Sequence, residues 1–254
     1  MVGTSHSTDK KMRLDLLLTE TGHFETRARA RDAILRGTVL IDGVPCTRPG
    51  ARFGANTDIR IEDAARAYVS RAALKLAEGL DAFQFDPRGR AALDIGASTG
   101  GFTQVLLDRG AAHVIAVDVG HDQLHQSLRD DPRVSNREGI NARSLPQDIS
   151  DGRKITVVVS DVSFISLRLA LPPALTLSAA GSFCVLLVKP QFEAGKAAIG
   201  KGGILKDPAK GPVLAQTLSE WLDRQPGWTS KGICPSPIQG ADGNQEFLLG
   251  GIKS

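Results

Sequence analysis

The stretch Leu93-Asp94-Ile95-Gly96-Ala97-Ser98-Thr99-Gly100-Gly101-Phe102-Thr103 restricts this chain more than any other. Apolar residues run into it from Ala91, and a carboxylate sits at Asp94. A turn of small residues follows, then the helical pattern Phe102-Thr103-Gln104-Val105-Leu106-Leu107. This is a strand feeding a helix through a glycine turn, the place where an open α/β sheet receives a nucleotide-like ligand. Glycines let the backbone come close to a ligand, and the first helical turn offers unpaired N–H groups. The spacing is Gly-x-x-x-Gly-Gly rather than Gly-x-Gly-x-x-Gly, which makes a dinucleotide the weaker reading. Asp118 closes the next apolar run, His113-Val114-Ile115-Ala116-Val117, where an acid can hold ribose hydroxyls. A tight turn with no chemical role is the alternative, because fold alone does not fix function.

A length of 254 residues leaves room for one large domain, or a small one beside a medium one. Hydrophobic residues make up 41% and charged residues 23%, ordinary globular values that argue against wholesale disorder. The net charge of +3 is no nucleic-acid signature by itself, so the placement of the arginines must decide. Cys46, Cys184 and Cys234 are odd in number and unpaired in spacing, which implies neither a disulfide framework nor a zinc cluster and fits a reducing cytoplasm. The first dozen residues lack an apolar core of signal-peptide length. The most apolar region, 157–188, is interrupted by Asp161, Arg168, Pro172 and Pro173, so no membrane span is expected.

Residues 1–11 are polar and expected to be disordered. Over 12–64, Leu14, Leu16, Leu17 and Leu18 suggest a short helix closed by Gly22. A second helix begins at Thr26 and ends at Gly37, with Arg27 and Arg31 on one face. Val39-Leu40-Ile41, the turn Asp42-Gly43 and Ile59-Arg60-Ile61 suggest a small curled sheet. Acids balance arginines over this segment, yet arginines 27, 29, 31, 36, 48 and 52 have only Glu25, Asp32 and Asp42 among them. Such a cluster can meet a phosphate backbone, or it can be a solvated helix face.

Arg13-Leu14-Asp15, Thr26-Arg27-x-x-Ala30, the run Gly37-Thr38-Val39-Leu40-Ile41-Asp42-Gly43 and Pro49-Gly50 resemble the ribosomal S4-like RNA-binding module. The resemblance implies an RNA surface that includes Arg13, Arg27, Arg29, Arg31 and Arg36.

Residues 65–69 read as a linker, and 70–254 as an α/β domain. The spacing predicts helices near 68–80, 101–109, 121–129, 165–179 and 207–224. Strands fall near 91–95, 113–118, 133–136, 155–160 and 183–188, with a final hairpin of 230–234 and 246–252 at one edge. The alternation implies a mostly parallel, Rossmann-like sheet.

Asp161 closes Val157-Val158-Val159-Ser160, and Lys189 closes Val185-Leu186-Leu187-Val188. In open α/β sheets the carboxyl ends of strands line the ligand crevice, so both residues should face Gly96. Lys75, on the helix before the sheet, and Glu246, opening the last strand, are ordinary charges by spacing alone.

Tyr68-Val69-Ser70-Arg71-x-x-x-Lys75-Leu76, the 94–102 turn, Asp161-Val162-Ser163-Phe164-Ile165-Ser166, Lys189-Pro190-Gln191-Phe192-Glu193 and Gly240-x-Asp242-Gly243-Asn244-x-Glu246 occur in that order. Together they resemble the TlyA (hemolysin A) family, whose catalytic half is FtsJ-like. The resemblance implies a class-I methyltransferase with a seven-stranded, mostly parallel sheet and an antiparallel edge strand, preceded by a small α+β S4-like domain. It further implies S-adenosylmethionine-dependent methylation of ribose 2′-hydroxyls, at cytidine, in ribosomal RNA or ribosomal subunits. The family's catalytic tetrad falls on Lys75, Asp161, Lys189 and Glu246, with Lys189 the expected base. Asp94, Gly96, Ala97, Ser98, Thr99, Gly100, Gly101, Phe102, Asp118, Asn141 and Asp161 are the expected cofactor contacts, and Arg71 joins the RNA set. Two competing readings are a membrane-active hemolysin and an RNA-binding protein whose catalytic half is inactive.

His121 and His125 stand at i, i+4, as in a zinc-protease helix, but no convincing third ligand accompanies them, so no metal is expected. The basic, glycine-rich stretch 196–203 lacks the ending of a phosphate loop and reads either as an RNA-touching flap or as a plain surface loop.

Overall fold

The computed structural model describes residues 11–254, and the expectation of disorder over 1–11 lies outside them but for Lys11. The chain divides into two compact units that part between Arg66 and Ala67.

In the smaller unit, helices Leu14–Glu20 and Arg27–Leu35 pack against a three-stranded antiparallel sheet ordered Val44–Pro45, Val39–Ile41, Ile59–Ile61. Thr26 caps the second helix by accepting the Arg29 N–H at 3.3 Å. Leu14, Leu18, Phe24, Ala30, Ile34, Val39 and Ile41 form its core. The region expected as a linker contains a single 3-10 turn, Ala64–Ala67.

The larger unit is built on a seven-stranded sheet ordered Trp228–Pro235, Phe247–Lys253, Phe183–Val188, Ile155–Ser160, Ala91–Ile95, His113–Val117, Val134–Arg137. The central strands are parallel. Phe247–Lys253 returns antiparallel as the second arm of the edge hairpin and lies against Phe183–Val188. Strand alternation sends Ala92, Val114, Val157 and Val185 to one face, where helices Ala73–Ala82 and Gly101–Asp108 cover them. Leu93, Ile115, Val158 and Leu186 go to the other, under Leu171, Leu175, Leu218 and Leu222. Three layers result, with every residue of the 183–188 strand buried.

Gly79 sets how close one helix comes to this sheet. A Cβ there would stand 2.6 Å from Val185 Cγ1, so only glycine lets the helix carrying Lys75 press flat on the strand that ends at Lys189.

The helix predicted near 68–80 begins only at Ala73 and runs to Ala82, and two other predicted helices are much shorter than their sequence patterns. The 165–179 helix is two pieces, Leu167–Ala170 and Pro172–Leu177, because a proline can start a helix but not continue one. The 121–129 helix survives only as Gln126–Arg129. Among the described residues, no helix is long and apolar enough to cross a membrane.

Candidate active site

The glycine turn caps the Ala91–Ile95 strand at the carboxyl rim of the sheet. Gly96 has φ 84°, and a Cβ there would lie 3.0 Å from the Asp161 carbonyl oxygen. The Asp161 N–H donates to Ile95 O at 3.1 Å, so the two strand ends are locked side by side. Asp118 braces the turn: its Oδ2 accepts the Ser98 N–H at 2.8 Å and its Oδ1 accepts the Gly120 N–H at 2.7 Å. Ser98 and Thr99 are exposed, whereas Ala97 and Gly100 are buried beneath them. Gly101 opens the helix and packs against Ser70 and Ala73.

The side chain of Phe102 points away from the turn's open side. Its ring is buried in the cluster that holds Leu76 and Leu106, because the helix must bury an apolar stripe on the sheet. At the turn it can present only its backbone.

Asp94 is fully buried. Its Oδ2 accepts the Thr103 hydroxyl at 2.7 Å, while Oδ1 is buried with no hydrogen-bond partner. Burial pushes its pKa up to about 7, against the pull of the Thr103 hydroxyl and with help from the charges of Asp161 and Asp118.

The four polar residues expected to meet form two ion pairs at the same rim. Lys75 Nζ donates to Glu246 Oε2 at 2.5 Å, with both side chains buried. Lys189 Nζ stands 2.6 Å from Asp161 Oδ1 and donates to Ser163 Oγ at 2.7 Å. The Asp161 oxygen lies off any hydrogen-bond direction, so that contact is ionic and the directional bond goes to Ser163. Val188 lies opposite Phe247, which puts Lys189 and Glu246 at one level on adjacent strands. Ile95 lies opposite Ser160, which brings Asp161 beside Gly96.

Sequence spacing does not single out Ser163, nor the exposure of Phe164. That ring is 90% exposed on a backbone with φ 65° and leans on Phe192, with centroids 5.2 Å apart. Glu138 also escaped the spacing argument. Its carboxylate accepts the N–H groups of Asp122, Gln123 and Leu124 at 2.7, 2.9 and 3.0 Å, and Arg129 adds an ion pair at 3.2 Å. This capture turns 122–124 into a loop after Asp118 and shortens the expected helix. His125 is the cap of Gln126–Arg129, and His121 lies in the loop before it, so the two share no helix face. Among the described residues, no group of three or more His, Cys, Asp or Glu is placed to hold a metal ion.

Asn141 is exposed and caps the turn Ala142–Ser144 by accepting the Arg143 N–H at 3.0 Å. The Ile140 N–H donates to Asp118 O at 2.9 Å and so holds that segment beside the proposed ribose acid. The basic stretch after Lys189 is fastened by Asn244, which donates to Gly203 O at 3.0 Å and accepts the Leu205 N–H at 2.9 Å.

In the smaller unit, Asp15 is buried between Arg13 at 3.0 Å and Arg27 at 2.9 Å, and the Arg13 guanidinium above all holds its carboxyl down to about 2. Arg27 and Arg31 are exposed. Arg29 pairs with Glu25 at 3.4 Å. Arg36 is largely enclosed and binds Asp63 at 2.8 Å and Asp32 at 2.9 Å. Arg71 is half-buried just before the Ala73–Ala82 helix.

Residues 68–253 match the FtsJ-like methyltransferase model, and residues 12–59 match the S4 domain. The chain belongs to the TlyA family of FtsJ-like methyltransferases. It is 44% identical over 94% of its length to the 16S/23S rRNA (cytidine-2′-O)-methyltransferase TlyA of Mycobacterium tuberculosis, covering 89% of that protein. It is 39% identical to Hemolysin A of Brachyspira hyodysenteriae, with 93% of this chain and 98% of that one aligned. A solved Streptococcus thermophilus structure, described as a candidate hemolysin, superposes with a TM-score of 0.73 at 39% identity, over 97% of this chain and 90% of the other. The TlyA fold therefore accounts for both units of this methyltransferase.

Proposed function

We propose that this TlyA-family enzyme methylates a ribose 2′-hydroxyl of ribosomal RNA, at cytidine, with S-adenosylmethionine as donor and Lys189 as base. The observation that carries the proposal is the pair of lysine–carboxylate contacts at the carboxyl rim of the sheet, with Asp161 beside the glycine turn. The relatives named as rRNA (cytidine-2′-O)-methyltransferases supply the substrate class.

The residues present fit such a cofactor. Asp118 spends one lone pair of each oxygen on the turn and keeps others for ribose hydroxyls. Asp94 holds an unpartnered buried oxygen behind the turn, and a cationic ligand would favour its charged form. Exposed Ser98, Thr99 and Asn141 offer polar contacts around it. When bound, the cofactor supplies a methyl group already activated by its sulfonium charge.

The chain's own residues do the rest. Lys75 and Glu246, locked together, orient the acceptor ribose so that its oxygen is aligned for in-line attack. Lys189 takes the proton from that hydroxyl as the base, while Asp161 and Ser163 fix the amine's position. Phe164 presents an open aromatic face on which an extruded base can stack. The exposed arginines of the S4 unit neutralise backbone phosphates of structured RNA, which supports ribosomal RNA as the partner.

The test is to treat unmodified ribosomal subunits with the protein and labelled cofactor, then map the methyl groups. A methyl on a base, or none at all, would refute the proposal.

A further inference from the structure

Two loops carry the Lys189–Asp161 pair, and they are joined at three points. The Lys189 amine meets Asp161 at 2.6 Å and Ser163 at 2.7 Å. The rings of Phe164 and Phe192 meet with centroids 5.2 Å apart. The third joint is Glu193, at the end of the short helix Pro190–Glu193. Its Oε2 accepts the Ser166 hydroxyl at 2.6 Å and its Oε1 accepts the Leu167 N–H at 2.8 Å.

The position of this third joint is informative. Ser166 caps the helix Leu167–Ala170 and accepts the Arg168 N–H at 3.2 Å. A helix start leaves several N–H groups unpaired, and here one of them is satisfied by a carboxylate 26 positions away in sequence. The 161–166 loop is thus pinned at both ends, by the Asp161 N–H on Ile95 O at 3.1 Å and by Glu193. Between the pins lie Ser163, which receives the Lys189 hydrogen bond, and Phe164, held at φ 65°, a left-handed conformation that a side chain rarely adopts. A loop in that conformation needs fixed ends.

We infer that Glu193 is a positioning residue for methyl transfer: by fixing the far end of the 161–166 loop, it keeps Ser163 and Asp161 where they orient the Lys189 amine. The inference rests on the methyl-transfer reading above. The side chain of Glu193 accepts from Ser166 and Leu167, and the backbone of Asp161 is held separately by Ile95 O beside the glycine turn, so cofactor affinity should depend on Glu193 far less than rate does.

The experiment compares the parent chain with Glu193→Ala, Glu193→Gln and Ser166→Ala. It measures kcat and its pH profile on ribosomal subunits, cofactor Kd by calorimetry, and melting temperature. Glu193→Ala should lower kcat at least ~10-fold, a size that small misplacements of reacting groups reach. Its cofactor Kd should stay within about twofold, and the pH profile should shift. Glu193→Gln keeps an oxygen for the Leu167 N–H and should recover most of the rate and the parent profile. Ser166→Ala should fall between, and it decides the matter if Glu193→Ala does not fold. Parent-like kcat in Glu193→Ala overturns the inference. So does a loss of cofactor affinity and melting temperature that tracks the loss of rate while Ser166→Ala stays fully active. A parent chain that binds cofactor but methylates nothing overturns the enzymatic reading and this role with it.

Discussion

Lys75 and Glu246 stand 171 positions apart in sequence, yet their amine and carboxylate meet at 2.5 Å in a site where the two residues are only 5% and 2% exposed. The lysine comes from a helix pressed onto the sheet, and the glutamate from the approach to its antiparallel strand. Desolvating two charges costs nearly as much as their attraction returns, so such a pair contributes little net stability, but breaking it strands one charge in the interior. Glu246→Ala should therefore destabilise the larger unit by about 3–5 kcal/mol. The double replacement Lys75→Met with Glu246→Leu should regain most of that stability and none of the methyl transfer. Denaturant unfolding of the three variants, with an activity assay on each, separates the two effects. A Glu246→Ala variant as stable as the parent would contradict a buried pair.

Lys189→Arg distinguishes a base from a mere positive charge. Arginine keeps the charge and can keep an ion pair with Asp161, but its guanidinium does not give up a proton in proteins. Losing a general base costs roughly 10²–10⁴-fold in rate. We expect a fall of that size, with cofactor Kd changed no more than about threefold. A variant that retains a tenth of the parent rate would remove Lys189 from the base's role and leave it an electrostatic one.

The parallel strands were legible because strands covered on both faces are written as apolar runs, and 114–117, 157–159 and 183–188 are such runs. Asp161 and Lys189 were legible for the same reason, each being the polar residue that ends a run. Lys75 and Glu246 were visible only through family likeness, since nothing local records a partner on the far side of the domain. The burial of the Phe102 ring was not legible, because an apolar residue at a helix start can face a ligand or the core, and here the core holds the ring. Glu138, Glu193 and Asn244 were silent for another reason. Each works on backbone N–H groups distant in sequence, and no spacing rule encodes such contacts.

Asp94 makes stability depend on pH, and the sign follows from its raised pKa. Between about 4 and about 7 the folded chain keeps a proton that the unfolded chain has released, so stability falls as pH rises through that window and levels off above it. At about 1.4 kcal/mol per unit, the full cost is on the order of 4 kcal/mol. Asp94→Asn removes it: the variant should melt above the parent at pH 8, and the difference should fade towards pH 4. A cationic cofactor favours the deprotonated acid, so in the parent its affinity should rise as pH passes through about 7, and in the variant that rise should be absent. Melting curves and calorimetry across pH 4–8 check both. A parent whose melting and cofactor affinity are flat between pH 5 and 8 would show that Asp94 is charged throughout.

Glu138 holds the loop that follows Asp118 by gathering three consecutive N–H groups onto one carboxylate. Burial alone would raise its pKa, but those N–H groups and Arg129 bring it below the ordinary value, so the charged form is the one built into the structure. Glu138→Ala leaves the three donors without their acceptor and frees 119–125 to move, while the Lys189–Asp161 pair stands on other elements and is untouched. Cofactor binding should weaken about 10-fold, as the loss of a few charge-assisted hydrogen bonds implies, with kcat at saturating cofactor within about twofold of the parent. Proteolysis should also find a new cleavage region near 119–125, closed again by added cofactor. A variant with parent-like cofactor KM and an equally resistant loop would mean that Glu138 fastens a segment the ligand does not use.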